Sequence, residues 1–141
     1  MENRWLCVTN EENWLVIIDR EVWGVSDRYR RAMGEVCPDD TLVFYVKPKR
    51  IWGIFKATSK PFQSRKRVFR TKESDKHEVI PHRVELEPII LPIEPLGIER
   101  LIPKLGFIAN KKYWTGHLRR AMRKIPEDDY ELIKSLLEKH K

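Results

Sequence analysis

Two apolar runs, residues 41–46 and 51–58, are separated by only four residues, Lys47-Pro48-Lys49-Arg50. The composition and spacing of these runs predict two β-strands joined by a short basic connection. Gly53 lies inside the second run, and a glycine within a strand marks a bulge or a bend, as a small barrel needs. This segment therefore constrains the chain to a fold that is built on a bent sheet.

The other segments predict helices and further strands around that sheet. Residues 5–8 predict a short buried strand, Phe107-Ile108 a last short strand, and residues 82–93 a strand with prolines at an edge or a bulge. The predicted helices cover residues 11–20, a segment that opens at Ser26, residues 115–123 and a segment that opens at Pro126. This mixed order predicts an α+β fold, a small bent sheet or open barrel with helices packed around it.

The first predicted helix is followed by a Trp-Gly pair. Thr9-Asn10-Glu11-Glu12 fits a capping box with Thr9 as the cap, and Trp14, Ile17 and Ile18 fall on one face at core spacing. Trp23 lies beyond that face, and Gly24 beside it has no side chain, so a flat group can approach the backbone there. A single tryptophan is more often part of a core than of a binding site, so the sequence leaves both roles open.

The formal net charge is +7, and its distribution says more than its sum. Residues 59–72 and 100–126 contain no acidic side chain. Such blocks favour an anionic partner such as nucleic acid, although a solvated surface is the simpler alternative. The cations that we expect to contact phosphates are Arg65, Lys66, Arg67, Arg70, Lys111, Lys112, Arg119 and Arg120.

Composition excludes several classes of protein. A chain of 141 residues that is 41% hydrophobic suits one domain, residues 1–141, and its longest apolar run is far shorter than the roughly 20 residues of a membrane span. Without a signal pattern or paired cysteines, we expect a cytoplasmic protein, monomeric by default, with no membrane partner. Many charged residues and a single glutamine suggest a thermophilic source, which predicts a melting temperature above about 65 °C.

The sequence carries none of the common catalytic or cofactor motifs. It has no Gly-rich phosphate loop, no Cys-x-x-Cys, no His-Glu-x-x-His and no Gly-x-Ser-x-Gly, and its four histidines are scattered. We therefore predict no cofactor, no metal and no catalytic residue, and a binding module outranks an enzyme. Cys7 lies within an apolar strand and is expected to be inert, and Asp39-Asp40 fits a turn better than a catalytic pair.

Six segments together resemble the EVE domain, and they span almost the whole chain. They are residues 5–14 (WLCVTNEENW), 22–25 (VWGV), 40–46 (DTLVFYV), 54–55 (IF), 101–105 (LIPKL) and 110–118 (NKKYWTGHL). EVE domains belong to the PUA-like group, with PUA, ASCH and YTH domains. The resemblance implies an open barrel of five or six strands flanked by helices.

The resemblance also implies a function, the recognition of a modified base in RNA or DNA. The base would be flipped out of its stack into an aromatic pocket beside a basic surface. By resemblance to YTH domains, Trp23 corresponds to the first aromatic wall, Thr9 and Asn10 to the polar turn that contacts the base, and Gly24 to a residue that contributes its backbone. Phe69 matches the second aromatic position loosely. It equally fits the role of a side chain that anchors its own loop to the rest of the domain.

Two other functions remain open at the level of sequence. An ASCH-like hydrolase acting on modified nucleosides would need a lysine, a threonine and a carboxylate in one pocket, and the candidates are Lys56, Thr9 and Glu12. An adaptor for another protein has no positive sequence feature. Asn10 likewise has two possible roles, since an asparagine both caps helices and offers a base edge a donor and an acceptor.

Overall fold

The computed structural model describes residues 2–66, 68 and 80–139. Its β-strands in these ranges are β1 (Arg4–Thr9), β2 (Val22–Val25), β3 (Thr41–Val46), β4 (Arg50–Ala57), β5 (Phe62–Gln63), β6 (His82–Ile90), β7 (Leu96–Gly97) and β8 (Met122–Lys124). The α-helices there are α1 (Glu11–Arg20), α2 (Arg30–Gly34) and α3 (Glu127–Glu138). Short 3₁₀ turns cover Asp27–Tyr29, Ile98–Arg100, Ile102–Lys104 and Trp114–Leu118.

The strands form one curled, mixed sheet in the order β2-β6-β4-β3-β1-β8, with β5 beside β6 and β7 beside β4. The β1–β3 pair is parallel, and the other pairs are antiparallel. This half-barrel with helices around it confirms the α+β class and the open barrel expected from the sequence.

Both faces of the central strands β1 and β3 are buried. On β1, Trp5 and Cys7 point into one core with residues of α1 and α2, while Leu6 and Val8 point into the other with residues of α3. Period-two alternation of side chains explains why one apolar strand serves two cores. Burial also raises the pKa of the Cys7 thiol, which agrees with an inert core cysteine.

Gly53 bends β4 where the sequence predicts it. Phe44 pairs with Gly53 but the next residue, Tyr45, pairs with Ile51, so the register shifts by one residue at this point. A Cβ on Gly53 would lie 2.8 Å from Ile90 O, so β6 passes too close for any side chain. The predicted bulge is confirmed, and the close approach of the neighbouring strand β6 explains why a glycine stands beside it.

The predicted cap of α1 is wrong by one residue. Asn10, not Thr9, is the N-cap, and its Oδ1 accepts from the Asn13 backbone N–H at 2.8 Å. Of the predicted core face, Trp14 and Ile17 are buried but Ile18 is 42% exposed. The sheet contacts a narrower stripe of α1 than the periodicity suggests.

The chain between the first two helices forms a strand, β2, which the sequence did not predict. Glu21 ends α1 in the left-handed conformation with φ 53°, and its N–H bonds Ile17 O at 2.8 Å. The chain then turns at once into β2, where Trp23 pairs with Val84. Left-handed caps are usually glycine, so a glutamate gave no sign of this turn.

Two predictions near the C-terminus are also wrong. Phe107-Ile108 is not a strand, since the Gly106 and Phe107 N–H groups bond the buried Asp129 carboxylate instead of a β-ladder. The predicted helix 115–123 is a 3₁₀ turn, Trp114–Leu118, followed by β8. The edge of β1 supplies partners for β8, and this long-range pairing overrides local helical pattern.

The Asp39-Asp40 turn is confirmed as structural. Asp40 is 1% exposed, and its carboxylate accepts from the Asn3 N–H, the Cys37 N–H and the Trp5 indole N–H at 2.9–3.1 Å. It therefore joins the start of β1 to the turn before β3.

In the described part of the chain, no helix combines the length and the apolar character that a bilayer crossing requires.

Candidate functional site

A cavity of about 440 Å³ opens at the end of β1 and β3. Because these strands are parallel, their carboxyl ends meet at the same edge, and the Lys47 N–H bonds Thr9 O at 2.9 Å there. The first turn of α1, strand β2 and the residues just before β8 complete the wall. The volume lies within the range of small-molecule sites, about 300–1,000 Å³.

Four of the five residues predicted to bind a base line this cavity: Thr9, Asn10, Trp23 and Gly24. They come from the end of β1, the cap of α1 and the middle of β2. The fifth, Phe69, lies outside the described residues. The structure thus brings the four residues together, and their contact with a base stays a prediction.

Trp23 lines the cavity but is almost completely buried. It is 3% exposed, and its ring packs edge-on against Phe44, with centroids 5.4 Å apart and planes at 80°. Its indole Nε1 is buried, with no hydrogen-bond acceptor among the described residues. Trp23 therefore belongs both to the core and to the cavity wall, the two roles that the sequence left open.

Asn10 and Thr9 are held by the backbone around them. The Asn10 Oδ1 is engaged as the helix cap, which leaves its Nδ2 as the donor available to a ligand. Thr9 is 7% exposed, and its backbone carbonyl accepts a hydrogen bond from the backbone N–H of Lys47. The Oδ1 has a second lone pair, so capping α1 is compatible with the donor-and-acceptor role that the sequence predicts for Asn10.

Several cavity residues were missed at the level of sequence. Tyr29 is half-buried and lines the cavity as a second aromatic side chain. Asn13 and Ile80 line it too, and Arg83 Nε holds the carbonyl of Ile80 at 2.9 Å. Burial lowers the pKa of the Arg83 guanidinium. No local signal marks these residues, because they meet only where β2, α1 and the start of β6 pack together.

Three cations also line the cavity, and we call Arg28, Lys47 and Arg119 the rim cations. They lie far apart in the sequence, and all three are exposed. Among the described residues, none has a carboxylate within ion-pair distance, and no aspartate or glutamate lines the cavity. Uncompensated positive charge at a concave site favours an anionic ligand.

Of the predicted phosphate contacts, Arg119 alone belongs to the described wall of this cavity. Arg67 and Arg70 lie outside the described residues. The others are exposed but are not part of the cavity lining: Arg65, Lys66, Lys111, Lys112 and Arg120. Lys111 Nζ bonds the carbonyl of Leu105, which directs this ammonium toward its own loop. Their contact with phosphates stays a prediction.

The residues considered for hydrolysis do not converge. Lys56 pairs with Thr41 at the start of β3, whereas Thr9 pairs with Val46 at its end. At about 3.3 Å per residue, these positions are ~16 Å apart along the sheet. Lys56 instead lies 3.7–3.9 Å from the carboxylates of Glu87 and Asp39. Glu12 is exposed and does not line the cavity.

Comparison with known proteins identifies the family. The sequence model of the EVE domain family matches residues 3–136. The chain belongs to the EVE domain family. A UPF0310 protein of Pyrococcus abyssi is 46% identical to this EVE domain over 143 residues, covering 94% of the chain and 98% of the relative. A UPF0310 protein of Pyrococcus horikoshii is 40% identical, covering 94% and 97%. These relatives come from thermophilic archaea.

Solved YTH domains have a fold similar to that of this EVE domain. The YTH domain of Zygosaccharomyces rouxii MRB1, in complex with N6-methyladenosine RNA, has a TM-score of 0.68 at 14% identity, covering 99% of this chain and 89% of that one. The Pho92 YTH domain, in complex with m6A, has a TM-score of 0.69 at 10% identity, covering 97% and 84%. A hypothetical protein from Leishmania major has a TM-score of 0.68 at 13% identity, covering 99% and 96%.

Proposed function

We propose that this EVE domain binds single-stranded or locally opened RNA or DNA and holds one modified base in the cavity at the end of β1 and β3. One observation carries the proposal: a concave site that combines aromatic side chains with three uncompensated cations and no carboxylate among the described residues. A nucleotide complements such a site, because its base has a flat apolar face and its phosphate carries a negative charge. The YTH domains of similar fold were solved with methylated adenosine, which supports the same ligand class.

The cavity walls have separate roles in this proposal. The base lies against Trp23 and Tyr29, and a base on an aromatic ring gains about 1–3 kcal/mol. The Nδ2 of Asn10 donates to an acceptor on the base edge. Gly24 has no Cβ, so the ring of the base can approach the backbone closely there. A buried methyl group on the base adds ~0.8 kcal/mol, which corresponds to about a fourfold preference over the unmodified base.

The test is a binding panel with fluorescently labelled pentanucleotides, measured by anisotropy. RNA and DNA probes carry a central N6-methyladenine, 5-methylcytosine or the unmodified base. We expect tighter binding of at least one modified probe than of its unmodified counterpart. Trp23→Phe keeps an aromatic ring against Phe44, and Tyr29→Ala removes a half-buried ring, so both variants should fold and bind that probe more weakly.

Trp52→Phe is the matched control, because Trp52 packs against the same core but does not line the cavity. This control should bind like the wild type. Equal affinity of every modified probe and its unmodified counterpart would refute recognition of these modifications. Unchanged binding by both Trp23→Phe and Tyr29→Ala would refute the site.

A further inference from the structure

A second cavity, of about 300 Å³, lies beside the first. Its wall includes α2, strand β5 and the first residue of β6, His82. The two cavities are neighbours, because His82 pairs across β2–β6 with Val25, which lines the first. The chain also passes directly from Tyr29 in the first wall to Arg30 in the second.

Phe62 is an exposed aromatic ring in this second wall. It is 37% exposed and belongs to neither hydrophobic core, although its backbone pairs with Arg83. A phenylalanine on a two-residue edge strand does not help to build the core. An exposed ring in a cavity is instead the feature on which an unpaired base stacks.

Polar groups around Phe62 suit a nucleotide. Arg30 is exposed, and within the described residues no carboxylate lies within ion-pair distance of it. Gln63, also exposed, carries an amide that both donates and accepts. Asp27, the nearby acid, faces His82 Nε2 at 2.6 Å, so an imidazole N–H engages this carboxylate.

We propose that the second cavity binds the base next to the modified one, with that base stacked on Phe62 and the intervening backbone held by Arg30. This inference rests on the proposed function, since it extends the same strand by one nucleotide. It implies that the preferred ligand is a strand of at least two nucleotides and not a free modified nucleoside.

The test compares two ligands, the tightest-binding pentanucleotide of the panel and the 5′-monophosphate of its modified nucleoside. Phe62→Ala should weaken the pentanucleotide by roughly 5- to 150-fold, the range of one stacked base, and leave the monophosphate unchanged. Phe62→Tyr keeps a ring and should restore tight binding. Ile93→Ala, which removes an 81% exposed apolar side chain elsewhere, is the control and should have no effect.

A second variant fills the cavity. A Cβ on Gly34 meets no atom within 4 Å, so Gly34→Leu should fold and occlude the space, and Gly97, equally open, provides the control Gly97→Leu. Two results would refute the second subsite while the first stands. In one, Phe62→Ala and Gly34→Leu bind the pentanucleotide like the wild type. In the other, both variants lose as much affinity for the monophosphate as for the pentanucleotide. If the panel shows no selective binding at all, the proposed function fails and this inference fails with it.

Discussion

Neutralising the rim cations should reduce the salt dependence of binding by a calculable amount. Arg28, Lys47 and Arg119 surround the cavity without an opposing carboxylate among the described residues. Each phosphate contact on a single strand contributes about 0.7 to the slope of log affinity against log salt. Three contacts therefore contribute a slope of about 2, which corresponds to a roughly 20-fold loss of affinity between 50 and 200 mM salt.

Neutral side chains of similar length isolate the charge from the packing. We would prepare Arg28→Gln, Lys47→Met and Arg119→Gln, singly and together. The Lys47 contact to Thr9 uses its backbone N–H, which the substitution keeps. Each single variant should reduce the slope by about 0.7, and the triple variant by about 2. Anisotropy titrations of the tightest-binding pentanucleotide at four salt concentrations measure the slope.

Lys104→Met is the matched control, because Lys104 is also exposed but does not line the cavity. It should leave the slope unchanged. A triple variant that keeps the wild-type slope would show that no phosphate contacts this rim. A slope lost equally in Lys104→Met would show instead that general surface charge attracts the strand.

Three further predictions concern the fold that holds the site. Gly53→Ala should lower the free energy of unfolding by about 1–3 kcal/mol in urea denaturation, since the new Cβ meets the Ile90 carbonyl, whereas a similar loss in Gly97→Ala would contradict this reason. Asp40→Ala should cost about 1–3 kcal/mol in the same assay, because the buried Trp5 indole N–H and two part-buried backbone N–H groups lose their acceptor; a loss below 1 kcal/mol would refute it. Hydrogen bonds from Arg4 lower the pKa of Glu127 in the folded protein below its ordinary value of 4.5. The ionised Glu127 carboxylate therefore contributes its full stabilisation above pH 4.5, and this stabilisation is lost as the pH falls through the pKa of the folded state. Glu127→Gln should therefore lose less stability than the wild type between pH 5 and 3, and equal losses would contradict the assignment.

Periodicity in the sequence determined most of the architecture. The apolar runs of β1, β3 and β4 and the stripe of α3 are local patterns, and each forms the predicted element. Gly53 likewise signalled its bulge, because a missing side chain in a strand has few other uses. The errors occurred where distant contacts decide the local structure, as at β8, which pairs with the edge of β1.

The site divides in the same way. Thr9, Asn10, Trp23 and Gly24 were predicted from short segments near the N-terminus, by their resemblance to a family, and they line one cavity. The whole lining comes from five separate stretches of chain, and three of them contain none of the predicted base-binding residues, so no local pattern could reveal the complete wall.

The sequence by itself determined that the chain is basic, α+β and similar to EVE domains. Only the tertiary structure decided which cations face the cavity. The acid-free blocks suggested eight phosphate contacts, whereas two of the three rim cations, Arg28 and Lys47, lie outside those blocks. The physical reason is that a parallel strand pair and the turn after β2 bring distant residues to one edge of the sheet, and the charge around a cavity depends on that convergence.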